Sequence, residues 1–318
     1  MRRLIISCGL FLILTFSAQG SLAFWVWTPE TGKFVNPKYA AKETAEEQFQ
    51  WALEFYEGKD YSRAIKEWEK LIKHFPLSEL ASEARYHIGM TYQEMGKHYD
   101  AYLAYQKVLD QYPQTKRVNE IIEKEYQIAN LFYTAKKAKL LGISLHSGKE
   151  RAIEIFRKVI ENAPYGEYAD LAQYKVGLYY WESGQYEEAI GEFGKIVDDY
   201  PKSKLLDDAR FQIALCFFKL YLRTEYDQEA LDKAIKELEN FMEDFPESNM
   251  VEEAYKLLSQ LSEKKAEHAF KIAQFYERQG SIESAVIYYK EVKDKYGDTS
   301  WAAKALERII ALEKGSGS

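Results

Sequence analysis

The chain has 318 residues, a formal net charge of −7, 25 tyrosines and two cysteines. That acidic balance lacks the basic footprint a nucleic-acid partner demands, and it argues against one. Loss of Cys8 with a leader would leave Cys216 as the one thiol, so no intrachain disulfide is expected.

Residues 1–23 have the parts of a signal peptide. Arg2 and Arg3 open it, residues 4–16 are apolar, and Ser21-Leu22-Ala23 offers a cleavage site before Phe24, with residues 18–20 as an alternative. The apolar run is short for a membrane span, so export is the inference. Ile5-Ile6-Ser7-Cys8 faintly resembles a lipobox, but Cys8 lies within the apolar run rather than after it. Residues 24–44 form an aromatic arm, in which aromatic and β-branched residues flank the turn Pro29-Glu30-Thr31-Gly32. A small hairpin or an extended strand is expected here. Such a piece is marginal alone, so it should pack on the helix over residues 45–58 or on a partner. A covering arm and a binding arm are both open readings.

Residues 168–201 display the unit that the rest of the chain repeats. Ala172, Val176 and Tyr180 share one helical face, and Ala189, Phe193 and Ile196 share another. Gly184 should close the first helix in the left-handed conformation, and Pro201 should stop the second. Gly177 and Ala189 are small where the two helices approach. Gly177, Tyr180, Gly184, Tyr186, Ala189, Phe193 and Pro201 match the tetratricopeptide repeat. An all-α, right-handed solenoid of about six helical hairpins with a C-terminal capping helix is therefore expected.

Residues 45–118 hold repeats one and two. Trp51, Ala52, Phe55, Tyr61, Ala64, Trp68 and Leu71 are the core positions of the first; Ile88, Gly89, Tyr92, Gly96, Ala101, Tyr105 and Val108 are those of the second. Residues 119–246 hold repeats three to five with lengthened connections. One of these, residues 136–151, is basic and apolar, and has two readings: contact with a membrane surface or partner groove, or a loop capping two extended helices. Residues 247–314 form the last repeat and capping helix, where residues 250–279 are either one long helix or two with a kink. Residues 315–318 (GSGS) read as a flexible tail.

Little sequence is left for chemistry. His74, His87, His98, His146 and His268 are scattered without metal-ligand spacing. There is no phosphate loop and no nucleophile elbow, so neither an enzyme nor a cofactor is expected. An envelope enzyme acting on peptidoglycan would need an acidic catalytic residue in a deep cleft. A repeat array instead binds extended peptides along the surface of its first helices. In this repeat pattern the groove-facing positions are Phe49, Leu53 and Tyr56, then Tyr86, Met90 and Gln93, then Tyr174, Leu178 and Trp181. That face is aromatic and apolar and suits a peptide of the same character. Part of the set is alternatively packed against the next repeat.

Export together with this array resembles the BamD type of outer-membrane assembly factor, the YfiO-like family. The likeness is densest over residues 264–299, where Tyr276, Gly280, Ala285, Tyr296, Asp298 and Thr299 hold the family's positions. The turns Phe75-Pro76-Leu77-Ser78 and Tyr200-Pro201-Lys202-Ser203 are also similar. The resemblance implies a periplasmic scaffold at the inner face of the outer membrane. It would receive unfolded outer-membrane clients in its N-terminal repeats and hold the barrel insertase by its C-terminal ones. Phe49, Tyr56, Tyr86 and Met90 would meet the client's terminal strand, and Arg278, Tyr288 and Lys290 would face the insertase. The chain departs from the family in having six repeats rather than five. It also has no cysteine just after the leader, and a tyrosine, Tyr288, where an arginine is frequent. A tetratricopeptide adaptor of another envelope system, for constriction or secretion, is the alternative.

Overall fold

A computed structural model describes residues 26–28, 32–35, 40–135, 148–223 and 228–315. The leader with Cys8, residues 136–147 of the basic insertion and the last three residues of the tail lie outside these. Among the described residues are thirteen helices and two short strands. In sequence order the helices make six pairs, with one left over. The chain divides into two compact units after Thr91.

The first unit opens with β1 (Val26–Thr28) and β2 (Lys33–Val35), paired antiparallel with Trp27 opposite Phe34. The expected hairpin is present, and both aromatic rings are exposed. Helix α1 (Ala45–Glu57) starts where the Thr44 side chain accepts a hydrogen bond from the Glu47 amide at 3.1 Å, which satisfies one orphan donor of the first turn. Helix α2 (Tyr61–His74) follows, and the unit takes in most of α3 (Glu79–Glu94). Ala52, Ala64, Trp68, Leu71, Ala81 and Ala84 are fully buried.

Trp51, expected in the core, is 37% exposed. Gln48 and Ala52 stand one turn apart and take the inward face of α1, so Trp51 lies about 100° round the helix from it. Lys42 Nζ lies 4.2 Å from the centroid of the Trp51 ring, and Phe55 meets it edge-on at 5.0 Å. Gln48 is buried because its amide donates to the Glu67 carbonyl and carboxylate, each at 3.0 Å.

The second unit contains α4 (His98–Gln111), α5 (Val118–Thr134), α6 (Gly148–Asn162), α7 (Ala169–Glu182), α8 (Tyr186–Asp199), α9 (Leu206–Arg223), α10 (Gln228–Asp244), α11 (Val251–Arg278), α12 (Ile282–Lys295) and α13 (Ser300–Gly315). From α4 onward each helix packs on the next, and α13 returns to α11. Packing chiefly between sequence neighbours is the mark of a repeat array. The all-α tetratricopeptide architecture read from the repeat pattern is the one observed.

The turns explain the spacing. Gly96, Gly184 and Gly280 have φ of 70°, 73° and 76°, and each stands five residues before the small residue that opens the core of the next helix (Ala101, Ala189, Ala285). In the first repeat the glycine is Gly58, six residues before Ala64. The left-handed position therefore falls on Lys59, at φ 60°. Packing is equally tight where Gly177 faces Phe193: a Cβ on Gly177 would lie 2.6 Å from the ring.

The Pro-x-Ser turns link successive repeats. Ser203 Oγ donates to Asp170 Oδ2 at 2.6 Å and accepts from the Leu205 amide at 3.0 Å. Ser248 Oγ likewise donates to Asp207 Oδ2 at 3.0 Å and accepts from the Met250 amide. Asp170 and Asp207 are the second residues of α7 and α9. Each serine hydroxyl thus fastens the turn after one repeat to the first helix of that repeat, while its lone pair begins the helix that follows.

Helix α11 is one continuous helix of 28 residues. Ala254 and Leu261 belong to the core made with α9 and α10, whereas Ala266, Phe270 and Ala273 belong to the core made with α12 and α13. No proline or glycine interrupts it, so nothing in the backbone favours a kink.

Candidate partner-binding surfaces

The N-terminal candidate surface is built on α1 and α3. Phe49, Leu53 and Tyr56 recur three and four residues apart, so they share one face of α1, and all three are half-buried. Trp68 of α2 forms their floor, with ring centroids 6.3 Å from Phe49 and 5.8 Å from Tyr56. His87 of α3 stacks on Trp68 at 5.1 Å and meets Phe49 edge-on at 5.2 Å. Met90 stands three residues on from His87 and is half-buried.

Tyr86, assigned to the groove from sequence, is only 2% exposed and belongs to the core. It stands two residues from both Ala84 and Ile88, so it is buried on the other side of α3 from them, and its ring meets His87 edge-on. Sequence reasoning overlooked Trp68 and His87 as members of this aromatic group. The signal was available in the repeat register, because a histidine at 87 shares a helix face with Met90.

The second unit holds the other groove positions. The Gln93 carboxamide oxygen accepts a hydrogen bond from the Tyr105 hydroxyl. Tyr174, Leu178 and Trp181 are half-buried and pack on the core of Phe193, Ile196, Ile213 and Cys216. Tyr174 stands 5.4 Å from the Phe193 ring, and its phenol is pushed up to about 12 by burial and then by the nearby Asp208 carboxylate. These three therefore contribute to the packing between repeats, one of the alternatives open from sequence. Cys216 is buried beneath them, and burial pushes its thiol up to about 12, which makes it inert rather than nucleophilic.

Basic residues at the near edge of the insertion are also engaged. Lys149 pairs with Glu182 and lies 5.0 Å from the Tyr133 ring, and Arg151 lies 4.8 Å from the Tyr99 ring.

The C-terminal candidate surface lies on the last repeat. Arg278, at the end of α11, and Lys290, on α12, are exposed, and Lys290 Nζ is 3.7 Å from Glu313. Tyr288 stacks face to face on Tyr276 at 5.1 Å and 6°, and Phe275 meets Tyr276 edge-on at 5.6 Å. Around this ladder Phe275 is 51% and Ile287 66% exposed. Beneath it Tyr289 donates to Glu277 at 2.7 Å and Arg308 pairs with the same carboxylate. The Arg308 hydrogen bond is the main cause holding Glu277 below the ordinary carboxylate value. The three helices of this end are thus pinned by one carboxylate, and an aromatic and aliphatic strip is left on the outside.

The family described as YfiO, outer membrane lipoprotein, matches residues 129–317, and the tetratricopeptide repeat matches residues 48–78 and 83–115. The chain belongs to the YfiO family. Among relatives, the outer membrane protein assembly factor BamD of Caulobacter vibrioides is 24% identical over 159 residues, covering 50% of this chain and 52% of that protein. The chain therefore spans about half the length of that relative. Among solved structures, a tetratricopeptide repeat protein of Parabacteroides merdae is 16% identical with a TM-score of 0.33, covering 85% of this chain and 99% of that one. The Thermus thermophilus tetratricopeptide protein TTC0263 is 15% identical with a TM-score of 0.32, covering 68% and 99%. The YfiO match takes in α6 to α13 and the whole C-terminal strip, whereas the aromatic group on α1 and α3 lies within the general repeat matches.

Proposed function

We propose that this YfiO-family chain is a non-enzymatic, exported scaffold of outer-membrane β-barrel assembly, held in the periplasm at the inner face of the outer membrane. Its C-terminal strip, with Arg278, Tyr288 and Lys290 among Phe275 and Ile287, holds the barrel insertase. Its N-terminal group of Phe49, Leu53, Tyr56 and Met90 receives the aromatic-rich terminal strand of an unfolded client.

The observation that carries this reading is the YfiO match over the residues that present the exposed strip. Exposed large apolar side chains such as Phe275 and Ile287 support partner contact, and aromatic and arginine side chains are the usual anchors of such contacts. Half-buried aromatic rings on α1 support the client end, because they offer large apolar area at small entropic expense.

A binding titration with a fluorescent peptide from a client's terminal strand tests the client end. Phe49→Ala and Tyr56→Ala should each weaken binding by about 2 kcal/mol, the scale of an interface hot spot, with the helical signal unchanged. Equal affinity of both folded variants and the parent protein would remove the client site from α1.

A further inference from the structure

Three glutamine–glutamate pairs, buried or partly buried, recur at the same sequence separation of 19: Gln48 with Glu67, Gln106 with Glu125, and Gln173 with Glu192. In each the glutamine amide donates to the carboxylate across two packed helices. Two of the three carboxylates also carry a cation. Lys70 lies 2.7 Å from Glu67, and Lys195 and Arg157 lie 2.8 Å and 2.9 Å from Glu192.

Glu125 differs. It is fully buried, and Gln106 Nε2 is its one hydrogen-bond donor among the described residues, at 2.8 Å and 2.9 Å to its two oxygens. The lysine that the other pairs place three residues further on is replaced by Ile128. The groups facing Glu125 do not substitute for it. From α4 come Asp110, a like charge, and the Tyr102 phenol; from α6 comes Lys158, whose ammonium is paired with Glu161 at 2.7 Å. One amide cannot offset the desolvation of a full charge.

We propose that the Glu125–Gln106 pair is a pH-responsive latch between the second and third repeats, closed while Glu125 keeps its proton and loosened when that proton leaves to solvent. The neutral acid still presents a carbonyl oxygen to the Gln106 amide and has no charge to desolvate. The anion can be hydrated only if α4 and α5 part. Burial accordingly pushes the carboxyl up to about 8, against the opposing effect of the Gln106 hydrogen bond and with Asp110 adding to the rise. The folded chain thus holds one proton more than the unfolded chain between the ordinary carboxylate value and about pH 8. The stability from this group is fully present below that window and is lost as pH rises through it. The Glu192 pair titrates in the opposite sense. For Glu192, burial pushes upward, but hydrogen bonds from Lys195, Gln173 and Arg157 leave the carboxyl below its ordinary value.

Urea unfolding of the full chain and of Glu125→Gln, from about pH 5 to about pH 9, tests the latch. The unfolding constant of the parent divided by that of the variant should rise by up to about tenfold per pH unit and level off near pH 8. A ratio that stays constant across the range overturns the proposal. Should Glu125→Gln not fold, hydrogen exchange on the parent protein, corrected for the intrinsic rate, gives the same decision. Protection of α4 and α5 should fall with pH while that of α7 and α8, held by Glu192, does not. Equal pH response of the two regions would overturn it.

Discussion

Gly177 lies against the face of Phe193 with no room for a methyl group. Replacing it by alanine sets two effects against each other. Helix propensity favours alanine by about 1 kcal/mol, whereas forcing an atom into a packed core costs about 1–3 kcal/mol. At 2.6 Å the clash is with a buried ring that has no free direction, so the second effect wins. Gly177→Ala should lose up to about 2 kcal/mol in urea unfolding, and unchanged or increased stability would contradict this reading of the contact. Gly177 was legible from sequence because the repeat makes the close approach periodic. The places of Tyr86 and Trp51 were not: Tyr86 is buried on the side of α3 away from Ala84 and Ile88, and Trp51 lies beside the inward stripe of α1. Where α1 and α3 are apolar over much of their circumference, the pattern does not say which aromatic goes inside. Gln48, a polar residue paired with Glu67, takes the inner face beside Ala52 and leaves Trp51 outside.

At the level of elements, the hairpin turns and the Pro-x-Ser turns set how one repeat follows the next. The Ser203–Asp170 hydrogen bond is short and charge-assisted, a class worth roughly 1.5–3 kcal/mol when buried and less here, where both partners are only half-buried. A double-mutant cycle of Ser203→Ala and Asp170→Ala should give a coupling energy of about 1 kcal/mol. The exposed pair Lys256–Glu252, an ordinary surface ion pair, should give little. Zero coupling at Ser203–Asp170 would reduce the motif to a simple turn. The helices themselves, their order and their glycine-closed turns were readable from periods and punctuation. The serine–aspartate links were not, because they join residues 33 and 41 positions apart, and the spacing alone names no partner. The unbroken course of α11 was likewise undecided from sequence. Its apolar stripe serves one core with its first half and another with its second, so the phase of the pattern shifts along a single helix.

For the whole molecule, the family match and the exposed strip fall on the same end of the chain. The strip residues Phe275 and Ile287 were not read from sequence, where apolar helical residues are assigned to a core by default. The resemblance assigns Arg278, Tyr288 and Lys290 to this end, where Arg278 and Lys290 are exposed and Tyr288 stacks on Tyr276. The Trp27–Phe34 pair of the N-terminal hairpin is a second exposed apolar feature, and the aromatic arm was legible in the composition of residues 24–44. The most direct test of the scaffold role is crosslinking in intact envelopes, followed by purification of the chain and identification of its partners. The comparison is between the parent chain and a Phe275→Ala, Ile287→Ala variant, both exposed positions whose change spares the core. The account predicts that the barrel insertase is recovered with the parent and is lost or strongly reduced with the variant. Recovery of division or secretion components without the insertase would contradict it and leave only the fold.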